Sequence, residues 1–198
     1  MKALIYLHGF NSSPQSEKAQ LTCEYFQTQE HQEINIIVPA LPSSPLVAIT
    51  HVHELIEQNG RNNLLGFIGS SLGGFYSLYL QHYYASTLNI PKTVLINPAV
   101  NPYDLLQAYI GENQNMYTGE KYIVKAEHMD DLKSLIVSSI SKPENTFLLT
   151  QTDDEVLNYQ DAVSYLSNAS MWVQYGGSHA FDKYLSVLPS IRRFFVNS

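Results

Sequence analysis

Three short segments carry residue types that together can perform acyl transfer. Gly69-Ser70-Ser71-Leu72-Gly73 is a Gly-x-Ser-x-Gly sequence placed directly after an apolar run, residues 64–68. A serine in that setting sits on a sharp strand-to-helix turn, and the small residues two before and two after let backbone approach. Its hydroxyl then projects at a helix N-terminus, where free N–H groups and the helix dipole favour a developing oxyanion. The glycine and serine content gives roughly 0.05 chance matches in a chain of this length. No Gly-Lys-Ser/Thr follows and no Gly-x-Gly-x-x-Gly is present, so the loop does not read as a nucleotide site. Thr152-Asp153-Asp154-Glu155-Val156 offers an acid, and Gly176-Gly177-Ser178-His179-Ala180-Phe181 offers a base. With these residues Ser71 attacks an acyl carbon. His179 takes its proton and returns one to the leaving group, and the acid fixes the histidine tautomer. Histidine suits the task because its unperturbed pKa of about 6.5 lies near working pH.

Asp154 is the first choice for the acid, because Glu155-Val156 would open the following helix. Asp153 competes, with capping of that helix as its alternative role. Glu155 reads as a solvated charge in the first helical turn. The 25 residues from Asp154 to His179 suffice for one helix and one returning strand. Near the N-terminus, His8-Gly9-Phe10-Asn11-Ser12 follows another apolar run, residues 3–7. Such a loop supplies the second oxyanion donor, so the backbone N–H groups of Phe10 and Leu72 are expected to form the hole. His8 is assigned to shaping this loop, and with Gly9 to contacting the substrate, because His179 fills the base position.

These segments meet only if each follows a strand at one sheet edge. Apolar runs at 3–7, 34–38, 64–68, 93–96, 146–150 and 171–175 predict strands. Amphipathic stretches at 14–27, 46–58, 75–84, 156–168 and 184–196 predict helices, the first with Ser13 as N-cap and Pro14 at its first position. The alternation implies the α/β class, with a mostly parallel sheet of about six strands covered by helices on both faces. Ligands gather at the carboxyl ends of such strands. Serine, then acid, then histidine is the chain order of the α/β-hydrolase fold.

At 198 residues the chain is expected to form one domain, 1–198. Residues 101–145 are long for one crossover. They carry Tyr103, Leu105, Leu106, Tyr109, Ile110, Met116, Tyr117 and Tyr122. The segment reads either as a small cap-like insertion over the acyl pocket or as packing onto the sheet, with Tyr103 and Tyr117 as substrate contacts in the first case.

A formal net charge of −7 and no cluster of four basic residues argue against nucleic-acid binding and against a polybasic membrane contact. No apolar run approaches the ~20 residues of a membrane span, and the N-terminal run is too short for a signal peptide, so a cytoplasmic location is expected. A single cysteine, Cys23, excludes an internal disulfide and reads as a small buried hydrophobe. His51, His53 and Glu54 read as a solvated helix surface, since the two histidines do not face each other. His128, Asp130 and Asp131 read as helix-start charges. Neither group reaches the three or four converging ligands of a zinc site.

Taken together, His8-Gly9-Phe10-Asn11-Ser12-Ser13-Pro14, Gly69-Ser70-Ser71-Leu72-Gly73-Gly74, Asn97-Pro98-Ala99-Val100, Tyr117-Thr118-Gly119, Gln151-Thr152-Asp153-Asp154-Glu155-Val156 and Gly176-Gly177-Ser178-His179-Ala180-Phe181 resemble the small bacterial YqiA-type esterases of the α/β-hydrolase superfamily. The likeness spans nearly the whole chain. It implies a carboxylic-ester hydrolase acting on small-molecule acyl esters, with acyl thioesters as a second substrate class, without metal or organic cofactor. It implies Ser71 as nucleophile, Asp154 as acid and His179 as base. Asp153 stands where the family tends to have a small residue, which leaves both aspartates as candidates. An acyltransferase on the same triad, or a hydrolase-fold binding domain without turnover, are the competing readings. A monomer or weak homo-oligomer is expected.

Overall fold

Apolar runs flanked by turn residues become parallel strands in the computed structural model, which describes residues 2–28, 34–86, 91–140 and 142–196. The strands in chain order are β1 (Lys2–Leu7), β2 (Ile34–Ile37), β3 (Leu64–Ser70), β4 (Lys92–Ile96), β5 (Gly111–Gln114), β6 (Lys121–Val124), β7 (Thr146–Gln151) and β8 (Ser170–Gln174). Six of them pair in the order β2-β1-β3-β4-β7-β8, every neighbour parallel. The helices are α1 (Glu17–Gln27), α2 (Pro45–Asn59), α3 (Leu72–Tyr83), α4 (Pro102–Leu106), α5 (Glu127–Ser134), α6 (Tyr159–Tyr165) and α7 (Leu188–Val196).

Alternation along the central strands divides the core. Leu4, Tyr6, Ile68, Val94, Ile96 and Leu149 face one side and pack with Ala19 and Phe26 of α1 and Ile191 and Phe195 of α7. Ile5, Leu7 and Phe67 face the other, against Ala48, Val52 and Ile56 of α2 and Phe75, Tyr76 and Leu80 of α3. Leu95 and Leu148 share that second side with Leu78 of α3 and Ala162 and Leu166 at α6. Each large side chain so buried contributes about 1.5–3 kcal/mol. Because both faces are covered, the central strands are almost entirely apolar, which is why they stand out in the sequence. No helix among the described residues is long and apolar enough to cross a membrane.

Several boundaries differ from expectation for local reasons. Helix α1 begins at Glu17 rather than at Pro14. The Ser13 hydroxyl accepts the Gln15 N–H at 3.0 Å and its carbonyl accepts the Ser16 N–H at 3.0 Å, holding residues 13–16 in a turn. Helix α6 spans 159–165, not 156–168, because the Asp154 carboxylate takes the N–H groups of Val156 and Leu157 at 2.9 and 2.8 Å. Asn158 then caps the helix by accepting the Gln160 N–H. The expected last helix divides into a 3-10 turn, Tyr184–Val187, and α7, with Pro189 in the first turn of α7, where its missing N–H costs nothing.

The segment 101–145, of which residue 141 lies outside the described residues, packs in part onto the core and in part forms a hairpin. Leu106 of α4 and Met129 and Leu132 of α5 are buried in the core against α2 and α3. Strands β5 and β6 pair as an antiparallel hairpin. This hairpin rests on the loop after β1: Asn115 Nδ2 donates to the Ser12 carbonyl at 2.8 Å, and the Tyr122 hydroxyl donates to Asn11 Oδ1. His53 corrects the reading of a solvated surface, because its Nδ1 meets the Tyr84 hydroxyl at 2.7 Å and its ring packs on Tyr83. Cys23 is half-buried rather than buried. Of the helical tyrosines, Tyr76 and Tyr84 are buried while Tyr83 is exposed.

Candidate active site

The turn between β3 and α3 holds Ser71 at φ 54° and ψ −121°. A non-glycine residue there stores about 1–3 kcal/mol of strain and persists only where its surroundings dictate it. They do: the Ser71 N–H donates to the Ile96 carbonyl at 3.0 Å, and the Ser71 carbonyl accepts the N–H groups of Gly74 and Ala99. Close approach explains the flanking glycines. A Cβ on Gly69 would fall 2.3 Å from the Gly73 carbonyl oxygen, and one on Gly73 would fall 2.0 Å from that of Leu7. Backbone on both sides is therefore fixed, and α3 starts against the end of β1.

The acid and base loops close on this turn from β7 and β8. His179 Nε2 lies 3.0 Å from Ser71 Oγ, and its Nδ1 lies 2.9 and 3.0 Å from the two carboxylate oxygens of Asp154. The Asp154 side chain is 1 % exposed. Burial pushes its pKa up, but the bonds from the His179 ring and from the N–H groups of Leu157 and Val156 outweigh that and hold it below the usual carboxylate value. An ionised Asp154 places the ring proton on Nδ1, which leaves the Nε2 lone pair to accept the Ser71 hydroxyl, a tautomer assigned from these partners.

Asp153 does not reach the ring. Its carboxylate accepts the Thr152 hydroxyl at 3.1 Å, and it caps no helix. Glu155 is exposed, as a solvated charge would be, but it precedes helix α6 rather than opening it, and its Oε2 accepts the backbone N–H of His179 at 2.9 Å.

Two buried amides that the sequence reading passed over hold the histidine loop. Asn97, 2 % exposed and at φ 39°, donates from Nδ2 to the carbonyls of Ser178 and His179 at 2.9 and 3.3 Å. Its Oδ1 accepts the N–H of Gln151. Gln151, fully buried, accepts the N–H groups of Ser178 and Asp182 at Oε1, 3.0 and 2.8 Å, and donates from Nε2 to the Asp182 carbonyl. The side chain fills the space a Cβ on Gly177 would need, 2.0 Å from Oε1. Asn97 directly follows β4 and Gln151 ends β7, so the sheet fixes the loop directly. Gln151→Leu strands two loop N–H groups, and a loss of about 1–3 kcal/mol in urea unfolding is expected. An unchanged midpoint and slope would contradict this role.

The loop after β1 lies against the nucleophile. A Cβ on Gly9 would sit 3.1 Å from Ser71 Cβ and 3.5 Å from Oγ. Among the described residues, the backbone N–H groups of Phe10 and Leu72 have no hydrogen-bond partner. His8 is buried, with Nδ1 donating to the Gly9 carbonyl at 3.0 Å and Nε2 accepting the Leu41 N–H at 3.3 Å. It thus joins the loops after β1 and β2 as a neutral ring, and burial lowers its pKa. The unfolded chain then binds the extra proton first. Stability is full above the unfolded value of about 6.5 and is lost as pH falls from there toward the folded value. Thermal unfolding from pH 8 to 5 should show this slope in the wild type and a shallower one in His8→Gln.

A cleft of about 170 Å³ opens between these loops, lined by Gly9, Phe10, Ser71, Tyr117 and His179 among others. Tyr117 thus stands where a substrate contact was expected. Tyr103 does not: it packs on the core, with the Lys133 ammonium 5.8 Å from its ring centroid. A second cavity of about 130 Å³ lies on the other side of the loop, against Leu41, Leu72, Tyr76 and Tyr122. A larger cavity, about 520 Å³ between α3 and Tyr165, is lined by none of the three residues Ser71, Asp154 and His179.

Residues 3–196 match the model of a family described as an uncharacterised protein family, UPF0227, the YqiA family. The chain belongs to this family. Solved structures similar to this YqiA-family chain share its fold at low identity. Est1E from Butyrivibrio proteoclasticus is 14% identical at a TM-score of 0.75, with 98% of this chain and 86% of that one covered. Alpha/beta hydrolase domain-containing protein 10 from mouse is 16% identical at 0.71, with 96% and 88% covered. The esterase domain of a Rhodothermus marinus protein is 13% identical at 0.70, with 96% and 84% covered. The YqiA-family chain therefore has the α/β-hydrolase fold, with a mostly parallel six-stranded sheet.

Proposed function

We propose that this protein is a serine hydrolase that cleaves carboxylic esters of small acyl groups through an acyl-enzyme. The observation that carries the reading is the unbroken chain from Asp154 to the His179 ring to Ser71 Oγ, at 2.9 and 3.0 Å, on a strained turn at a helix N-terminus. Ser71 Oγ attacks the acyl carbon as its proton passes to His179 Nε2. The imidazolium, stabilised by Asp154, returns that proton to the leaving alcohol. Water attacks the acyl-serine by the same route in reverse. The unpaired N–H groups of Phe10 and Leu72 stabilise the oxyanion in both steps, a contribution of about 2.7–4 kcal/mol per donor in related chemistry.

A small ester, acyl group and alcohol together, suits a cleft of about 170 Å³, since a cavity of about 150 Å³ takes benzene. The test is a panel of 4-nitrophenyl esters and acyl thioesters of graded chain length at neutral pH. Turnover of the short esters, falling as the chain lengthens, is expected. No turnover of any oxygen ester or thioester would overturn the reading, and turnover of thioesters alone would replace the ester with a thioester substrate.

A further inference from the structure

Helix α1 enters the cleft end-on. Ser16, Glu17 and Lys18, its N-cap and first two residues, line the same space as Ser71 and His179. Ser16 is 8 % exposed, yet its hydroxyl makes no capping bond and has no other partner among the described residues. An N-cap serine ordinarily accepts an N–H of the first turn. Here both the hydroxyl and the first-turn N–H groups are left for something in the cleft.

Lys18 is half-buried beside it. Its ammonium donates to the Ala180 carbonyl at 2.8 Å. An ammonium has three donors, and among the described residues Lys18 forms no ion pair with any carboxylate. Burial lowers its pKa, and the charges of Glu17 and Asp154 oppose this. Glu17 itself is exposed. A half-buried cation, a hydroxyl with no protein partner among the described residues and a helix N-terminus in one small space share a single complement, an anion.

The side of the reaction follows from the chemistry. His179 protonates the departing oxygen, so the alcohol portion lies against His179, and Lys18 is anchored to the next residue, Ala180. We infer that Lys18 and Ser16 form an anion subsite for the leaving group, so that the enzyme selects esters of small hydroxy acids, whose alcohol carries a carboxylate. This rests on the hydrolase reading above.

The experiment compares the butyric ester of glycolic acid with the matching carboxamide, at low ionic strength, for wild type, Lys18→Met and Lys18→Arg. Fluorophosphonate labelling of each variant reports separately on Ser71. Wild type should prefer the carboxylate by about ten- to hundredfold in kcat/KM, the range expected of a charge-assisted bond. Lys18→Met should lose that preference while labelling at the wild-type rate, and Lys18→Arg should keep most of it. Equal use of the two esters by wild type would overturn the subsite, as would a preference that survives Lys18→Met. A Lys18→Met protein that loses both esters and labelling together would instead make Lys18 a support of the histidine loop. Labelling without turnover of either ester refutes the subsite alone; absence of both refutes the hydrolase reading beneath it.

Discussion

Ser71→Ala should lower kcat on a short ester by about 10⁴–10⁶-fold and leave KM nearly unchanged. The size follows from the role: with Oγ gone, no acyl-enzyme forms, and His179 and the two N–H groups can only assist water. The fold should tolerate the change, because the Ser71 backbone supplies the bonds that hold the turn, to Ile96, Gly74 and Ala99. His179→Ala should cost nearly as much, and the double variant little more than either, because the two residues act as one unit. Steady-state kinetics on the three variants checks this. A double variant whose losses multiply would show that the residues act independently.

Asp154→Asn should lower kcat by about 10⁴-fold, whereas Asp153→Asn should stay within about threefold of wild type. An amide at 154 still offers an oxygen to the N–H groups of Val156 and Leu157, so the loop should keep its shape. What it loses is the negative charge that keeps the proton on His179 Nδ1 and stabilises the imidazolium. Asp153, bonded to the Thr152 hydroxyl, has no such contact. The depressed pKa of Asp154 adds a pH consequence. Its stabilising charge is fully present above the unfolded carboxylate value of about 3.9 and is lost only as pH falls through the lower folded value. Acid unfolding should therefore begin at higher pH in Asp154→Asn than in Asp153→Asn. Reversed kinetic losses for the two variants would reassign the acid.

The elements that position this site were legible where a requirement is local. Strands β1, β3, β4 and β7 are buried on both faces and so are written as apolar runs. The turn at Ser71 is written as glycines, because Gly69 and Gly73 leave no room for a Cβ. Where the requirement is made by distant chain, the letters are silent. Asn97 and Gln151 look like any polar residues after a strand, and only the assembled sheet shows them to be buried beneath the histidine loop. Glu155 likewise becomes a partner of His179 only across 24 residues. The turn at residues 13–16 competes with a good helix start, and it leaves Ser16 and Lys18 at the cleft. The hairpin β5–β6 joins a polar strand, Gly111–Gln114, to a four-residue strand, Lys121–Val124, and neither carries an apolar alternation long enough to announce it. Tyr103 and Tyr117 share a segment and a residue type, yet one packs on the core and the other lines the cleft.

The most direct measurement is the intact mass of the protein after treatment with a fluorophosphonate, followed by mapping of the modified peptide. The expected result is one adduct per chain on Ser71 in wild type, and none in Ser71→Ala under the same conditions. An adduct on another residue, or equal labelling of the two proteins, would contradict Ser71 as the nucleophile.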